Sequence, residues 1–219
     1  TMEFAEKLST HEIVAVYGMQ VDSGANIIQL LKPSNLTWGV WVILSTPEPA
    51  STTKNLNPTL LMTELGTLLL VYQSDDPLYI TTAPNALIIR RSTDFGATWS
   101  AAAKIMEDTL SNGLTTYPKL VQNPHNGHIY CFYFRDGGAK LRYIYSSNDG
   151  NTWPAIANEE LVYNIGGSAV SEKASIAYQK STDTWMISWT YLIASKIVGL
   201  KSTGYTASGP NFAPSTLFD

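Results

Sequence analysis

RSTDFGATWS, residues 91–100, is a tight turn whose chemistry is visible residue by residue. Ser92, Asp94, Gly96, Thr98 and Trp99 fill the pattern S-x-D-x-G-x-T-W at every position. A short carboxylate accepts backbone N–H groups within its own turn, and glycine takes the positive φ that other residues avoid. The frame returns in SSNDGNTW, residues 146–153, where Ser146, Gly150, Thr152 and Trp153 stand unchanged and Asn148 takes the aspartate position. Asparagine keeps an acceptor oxygen and gives up the charge. Each Trp is expected to pack between neighbouring sheets, so that truncation to Ala costs about 3–5 kcal/mol.

The two turns close two copies of one longer grammar, at a period of about sixty residues. The first copy opens at Asn57-Pro58-Thr59-Leu60, turns at Leu65-Gly66, runs again over 67–72, crosses a polar loop and runs a third time over 86–91. The second opens at Tyr117-Pro118, turns at Asn126-Gly127 and has runs over 129–134 and 141–145. A third is traced from Glu172 through a turn near Thr182-Asp183, a strand over 185–191 and another over 197–201, ending in the degenerate STGYTASGPNF. Ahead of these, 11–19 and 25–31 read as strands, with 33–38 a worn version of the same turn. Ala102–Asp108 is the single stretch that reads as helical.

Short strands joined by hairpins at this period describe a four-stranded antiparallel sheet per repeat. Such a sheet is apolar on both faces and needs a neighbour on each side. The expectation is an all-β β-propeller of about four blades, one domain over 1–219 with blades near 1–50, 55–103, 115–157 and 170–214. Composition agrees: 44% of the 219 residues are hydrophobic, and twelve Tyr, six Trp and six Phe suit pleated, half-buried surfaces. A formal charge of −4 argues against a nucleic-acid partner, which needs a dense basic face. The one cysteine, Cys131, lies in an apolar run and is expected to be a buried strand residue. No run approaches the length of a membrane-spanning helix. His11, His125 and His128 lack metal-ligand spacing, and His125-Asn-Gly-His128 reads as a hairpin turn, so no metal and no cofactor is expected.

The turn pattern resembles the Asp box, or BNR repeat, of the sialidase superfamily. The segments LNPTLLMTELGTLLLVYQ and IIRRSTDFGATWS resemble the opening blade of those enzymes, and the following copy resembles the next blade, together about half of the chain. The resemblance implies that these turns are structural and lie at the outer rim, away from the ligand pocket. It also implies an arginine before the proline of the first inner strand, where this chain has Leu56, and another at the end of a later strand, where it has Trp189-Thr190-Tyr191. The carboxylate-binding arginine set is therefore absent from the matching positions. The family's acid/base aspartate corresponds to Asp75 or Asp76, and the glutamate that assists its tyrosine nucleophile to Glu172.

Arg135 follows the second strand of its blade and either holds a ligand carboxylate bidentately or pairs with Asp136. Asp75, Asp76 and Glu172 are the candidate catalytic carboxylates; Tyr117, Arg135, Glu172 and Tyr191 are the candidate ligand contacts. Solvated loop charges, and a Glu172–Lys173 pair, are the plainer readings of the acids. Three functions fit: a carbohydrate-binding propeller without sialidase catalysis, a divergent exo-glycosidase using a carboxylate pair, and an assembly module. Family propellers have six blades, so the expected partners are a glycan or other small polar ligand, together with either another copy or further blades of a longer chain. The resemblance implies a secreted or surface-associated setting.

Overall fold

The computed structural model describes residues 2–7, 9–20, 26–33, 40–51, 53–82, 84–107, 116–135, 140–164, 174–191, 196–202, 205–206 and 209–210. Its strands are all antiparallel and form the four blades of a β-propeller. Blade 1 is β1 (Met2–Lys7), β2 (Glu12–Gln20), β3 (Asn26–Pro33) and β4 (Trp41–Ser51). Blade 2 is β5 (Asn55–Met62), β6 (Leu68–Ser74), β7 (Ala86–Ser92) and β8 (Ala103–Glu107). Blade 3 is β9 (Thr116–Gln122), β10 (Ile129–Arg135), β11 (Lys140–Ser146) and β12 (Glu160–Asn164). Blade 4 shows β13 (Ser175–Gln179), β14 (Thr184–Tyr191) and β15 (Lys196–Lys201), and a short pair β16 (Tyr205–Thr206) and β17 (Gly209–Pro210) follows.

The segment expected to be helical is instead strand β8. Its residues Ala103 to Glu107 pair with β7, and this registers Ile105 and Met106 into the core between blades 2 and 3. Tertiary pairing overrides the helix-forming character of Lys, Met and Glu in so short a stretch. The worn turn expected at 33–38 lies, beyond Pro33, outside the described residues. So does most of the closing turn of the third copy.

Alternation sorts each blade's side chains to two seams. Leu68, Leu70 and Tyr72 of β6 meet Val14, Val16, Ile28 and Leu30 of blade 1, while Leu69 and Val71 of the same strand meet Ile129, Cys131 and Tyr133 of blade 3. The opposite face of β10, with Tyr130, Phe132 and Phe134, packs on Trp185, Ile187 and Trp189 of blade 4. Every side chain of β6 and β10 is thus buried. Cys131 is among them, and burial pushes its thiol well above its usual range. On blade 1 the face turned away from blade 2 keeps Met2, Phe4 and Ile43 exposed.

The 92–99 and 146–153 turns share one hydrogen-bond frame. Ser92 Oγ donates to Asp94 Oδ1 at 2.7 Å and accepts from Gly96 N at 2.7 Å, and Thr98 N and Oγ1 donate to the Asp94 carboxylate at 2.9 and 2.5 Å. In the second turn Ser146 Oγ accepts from Gly150 N at 3.0 Å and Asn148 Oδ1 accepts from Thr152 N at 2.9 Å. The asparagine adds a donor where the aspartate has only acceptors, and Asn148 Nδ2 donates to Thr152 Oγ1 at 2.8 Å. Each turn is also a wedge driven against the preceding blade. Trp99 Nε1 donates to Ser45 Oγ of β4 at 3.0 Å, and Ser45 donates on to Gly96 O at 2.5 Å. Asp149 accepts from Thr67 Oγ1 at 2.5 Å and lies 3.5 Å from Arg91 Nη2, both of blade 2.

The wedge explains the glycines. Gly96 has φ 90° and Gly150 φ 72°, and a Cβ would lie 2.1 Å from Leu30 at the first and 2.8 Å from Leu69 at the second. Gly66 also has a positive φ, 85°, but nothing lies within 4 Å of a Cβ there. Alanine at Gly66 should therefore cost only the left-handed conformation, about 1 kcal/mol. At Gly150 and Gly96 overpacking adds about 1–3 kcal/mol more. Urea unfolding of the three variants should rank Gly96→Ala as most damaging and Gly66→Ala as least.

The hydroxyl and backbone N–H of Thr98 and the hydroxyl of Ser92 hold the Asp94 carboxyl down at about 2. A depressed carboxylate contributes stability that is complete above its unfolded value and is lost as pH falls through the folded one. Thermal melts should therefore show a loss from about pH 4 to about pH 2 that is smaller in Asp94→Asn.

Candidate functional site

Register gathers the sequence candidates at one end of the blades. Asn55 pairs with Ser74 and Ser74 with Ala86, so the start of β5, the end of β6 and the loop before β7 lie together. Phe134 opposite Thr116 and Arg135 opposite Lys140 repeat this in blade 3, and Tyr191 opposite Lys196 repeats it in blade 4. Asp75, Asp76, Tyr117, Arg135 and Tyr191 therefore share one end of the blades, the candidate entry end. The 92–99 and 146–153 turns occupy the other. Glu172 and Lys173 lie outside the described residues, as does Asp136, and of Tyr191 the backbone position alone is described.

The two inner strands β5 and β9 begin alike. Asn57 precedes Pro58 with φ 51°, and Tyr117 precedes Pro118 with φ 52°. Proline offers no N–H to the ladder, and the pairing shifts at both places, between Leu56 and Thr59 and between Phe132 and Phe134. A left-handed backbone at Asn, and more so at Tyr, is a departure from ordinary strand geometry that surrounding contacts must hold. Asn57 Nδ2 donates to Gln73 Oε1 at 3.1 Å, and Tyr117 packs half-buried on the core between blades 3 and 4.

The two adjacent acids are built into their loop. Lys54 N donates to Asp75 Oδ1 at 2.5 Å, and Leu78 N to Asp76 Oδ1 at 2.9 Å. One N–H on each leaves a carboxylate with acceptor capacity over. Farther along this loop, Thr82 N and Thr81 Oγ1 donate to buried Glu107 at 2.9 and 2.8 Å, Thr81 N donates to it as well, and Lys104 Nζ is 2.9 Å away. Burial alone would raise the Glu107 carboxyl; the Thr81 and Thr82 N–H groups, Lys104 and the Thr81 hydroxyl outweigh it and hold the group well below the usual range. Glu107 thereby fixes the loop that carries Asp75 and Asp76.

All four arginines are engaged with carboxylates of the chain itself. Arg90 Nε meets Glu48 Oε1 at 2.5 Å, and the Tyr72 hydroxyl donates to the same oxygen. Arg91 meets Asp149 and Asn151. Arg135, expected to face a ligand or Asp136, is buried against Glu159, which also receives Arg142 Nη1 at 3.1 Å and the Tyr133 hydroxyl at 2.7 Å. Sequence reading missed Glu159 and Glu107. A signal for the first was present: Tyr133 and Arg135 place two polar groups on one face of an otherwise apolar strand, which requires a buried acceptor.

A cavity of about 1020 Å³ lies at the opposite end, lined by Lys7, His11, Glu12, Lys32, Asp94 and Phe95 among others. Its charged groups are largely satisfied locally: His11 Nδ1 meets Glu6 at 2.8 Å, Lys7 meets Glu12 at 3.9 Å, and Asp94 is held within its own turn. Volume without convergent polar groups is weaker evidence of a site than the strained, polar entry end.

No family model matches the chain, and no curated protein matches it. Solved structures do. The intramolecular trans-sialidase from Ruminococcus gnavus, in complex with oseltamivir carboxylate, aligns at 11% identity and TM-score 0.72 over 99% of this chain and 70% of that one. The leech intramolecular trans-sialidase, complexed with 2,7-anhydro-Neu5Ac, aligns at 11% identity and TM-score 0.69 over 100% and 50%. A Hadza microbial sialidase aligns at 14% identity and TM-score 0.66 over 96% and 46%. The chain thus spans 46 to 70% of the length of these proteins. With identity this low the likeness establishes the fold alone, a β-propeller like that of these proteins.

Proposed function

We propose that this propeller binds carbohydrate at its entry end and does not carry out sialidase catalysis. The observation behind it is the engagement of Arg90, Arg91, Arg135 and Arg142 with Glu48, Asp149 and Glu159. An arginine clamp for a ligand carboxylate needs guanidinium groups that face the ligand, and these are engaged by carboxylates of the chain itself. A sugar site asks for less. An aromatic ring covers a C–H face, and amides and carboxylates accept or donate to hydroxyls. Tyr117, Asn57 with Gln73, and the two loop acids supply those groups, and the fold is shared with proteins solved with sialic-acid-related ligands.

A glycan array run beside hydrolysis of a panel of aryl glycosides, one of them a sialoside, tests this on the intact chain. Glycan binding with no sialoside turnover is expected. Turnover that disappears in Asp75→Asn or Asp76→Asn would replace this reading with the exo-glycosidase one.

Glu159→Gln should lower stability by about 3–5 kcal/mol, because two guanidinium groups lose their buried counter-charge. Affinity per folded molecule, measured by calorimetry, should not change. A clear change in glycan affinity would instead place Arg135 in the binding site.

A further inference from the structure

We infer that the entry end selects an uncharged sugar with an apolar edge and disfavours sugar acids, an inference that rests on the carbohydrate-binding reading above. Three observations carry it. Leu56 opens the inner strand of blade 2 with 37% of its surface exposed, directly opposite Gln73, and Leu78 in the adjoining loop is 82% exposed. Large aliphatic side chains left in water beside polar groups suit a ligand that has both a C–H patch and hydroxyls. Asp75 and Asp76 stand between these two leucines in the chain, each accepting a main-chain N–H on its carboxylate, and so place negative charge at the mouth. The arginines nearest this end, Arg135 and Arg142, are both paired with Glu159, and Arg90 and Arg91 lie toward the turn end with Glu48 and Asp149. Among the described residues, the remaining cations at this end are the lysines Lys54, Lys140 and Lys196, whose single ammonium groups cannot hold a carboxylate bidentately, and exposed Lys54 gives Asp75 its main-chain N–H.

A ligand carboxylate entering here meets like charge without a bidentate partner, whereas a neutral hexose, a 6-deoxyhexose or an N-acetylhexosamine meets acceptors for its hydroxyls and a leucine surface for its methyl or ring C–H groups. Two carboxylates at short range in partly screened surroundings are expected to separate neutral from acidic versions of one glycan by about tenfold or more. The gap should narrow as salt rises.

The test uses the intact chain and matched glycans ending in a neutral hexose, a 6-deoxyhexose, an N-acetylhexosamine, a uronate or a sialic acid, with affinities measured at low and moderate salt. Binding of neutral termini with acidic ones about tenfold weaker, and a gain of at least about tenfold for acidic termini in Leu56→Arg, is the expected result. The double variant Asp75→Asn/Asp76→Asn should raise acidic binding independently, so the idea remains open to refutation if Leu56→Arg fails to fold. Equal or tighter binding of sialic-acid or uronate termini by the unaltered chain overturns the selectivity while leaving the carbohydrate reading intact. Absence of binding to every terminus by folded protein overturns both.

Discussion

A sheet that is apolar on both faces is the constraint from which the rest of this structure follows. Every residue of β6 and β10 is buried, so neither strand can exist without a blade on each side. Non-directional burial alone would let such sheets slide over one another. What fixes them is the wedge at one end of the seams between blades 1 and 2 and between blades 2 and 3, where the absent side chain of Gly96 or Gly150 admits a leucine of the preceding blade and the turn's polar groups bond across to it.

The fold was legible because the wedge leaves a dense trace: five specified positions within eight residues, repeated once with a single chemically matched change. The runs that fill β6, β7, β10 and β11 were legible for the same reason that they are buried. The strands that escaped notice are the first and the outer ones. Strand β1 reads MEFAEK, apolar at alternate positions but charged between them, and β4 contains Pro47 and Pro49, which a strand tolerates where one edge is unpaired. Strand β8 resembles a helix by composition, and only its pairing with β7 reveals what it is.

For the candidate site residues, the end of the blade was legible and the partner of each side chain was not. Knowing that a residue ends or follows the second strand of a blade places it at the candidate entry end, which holds for Asp75, Asp76, Arg135 and Tyr191. Whether it faces ligand or protein depends on partners far along the chain. Glu159 is 24 residues from Arg135 and belongs to the segment that leads into β12, with nothing local to announce it. The positive φ at Tyr117 is likewise a product of the bulge before Pro118, and tyrosine itself gives no hint of it.

The charged clusters within the seams have a logic of their own. Glu48, Tyr72 and Arg90 join blade 1 to blade 2; Arg91 and Asp149 join blade 2 to blade 3; Arg135, Arg142 and Glu159 sit on blade 3 beside the same seam. Buried ion pairs add little net stability over apolar packing, because desolvation offsets most of the attraction. Their consequence is discrimination. A blade shifted by one residue, or docked on the wrong neighbour, would bury an arginine without its carboxylate, a far larger penalty than misfitted leucines impose. Between repeats whose faces are otherwise interchangeable aliphatic surfaces, these pairs distinguish one seam from the next. The same arrangement engages all four guanidinium groups, so the arginines that order the blades are already paired with carboxylates of the chain.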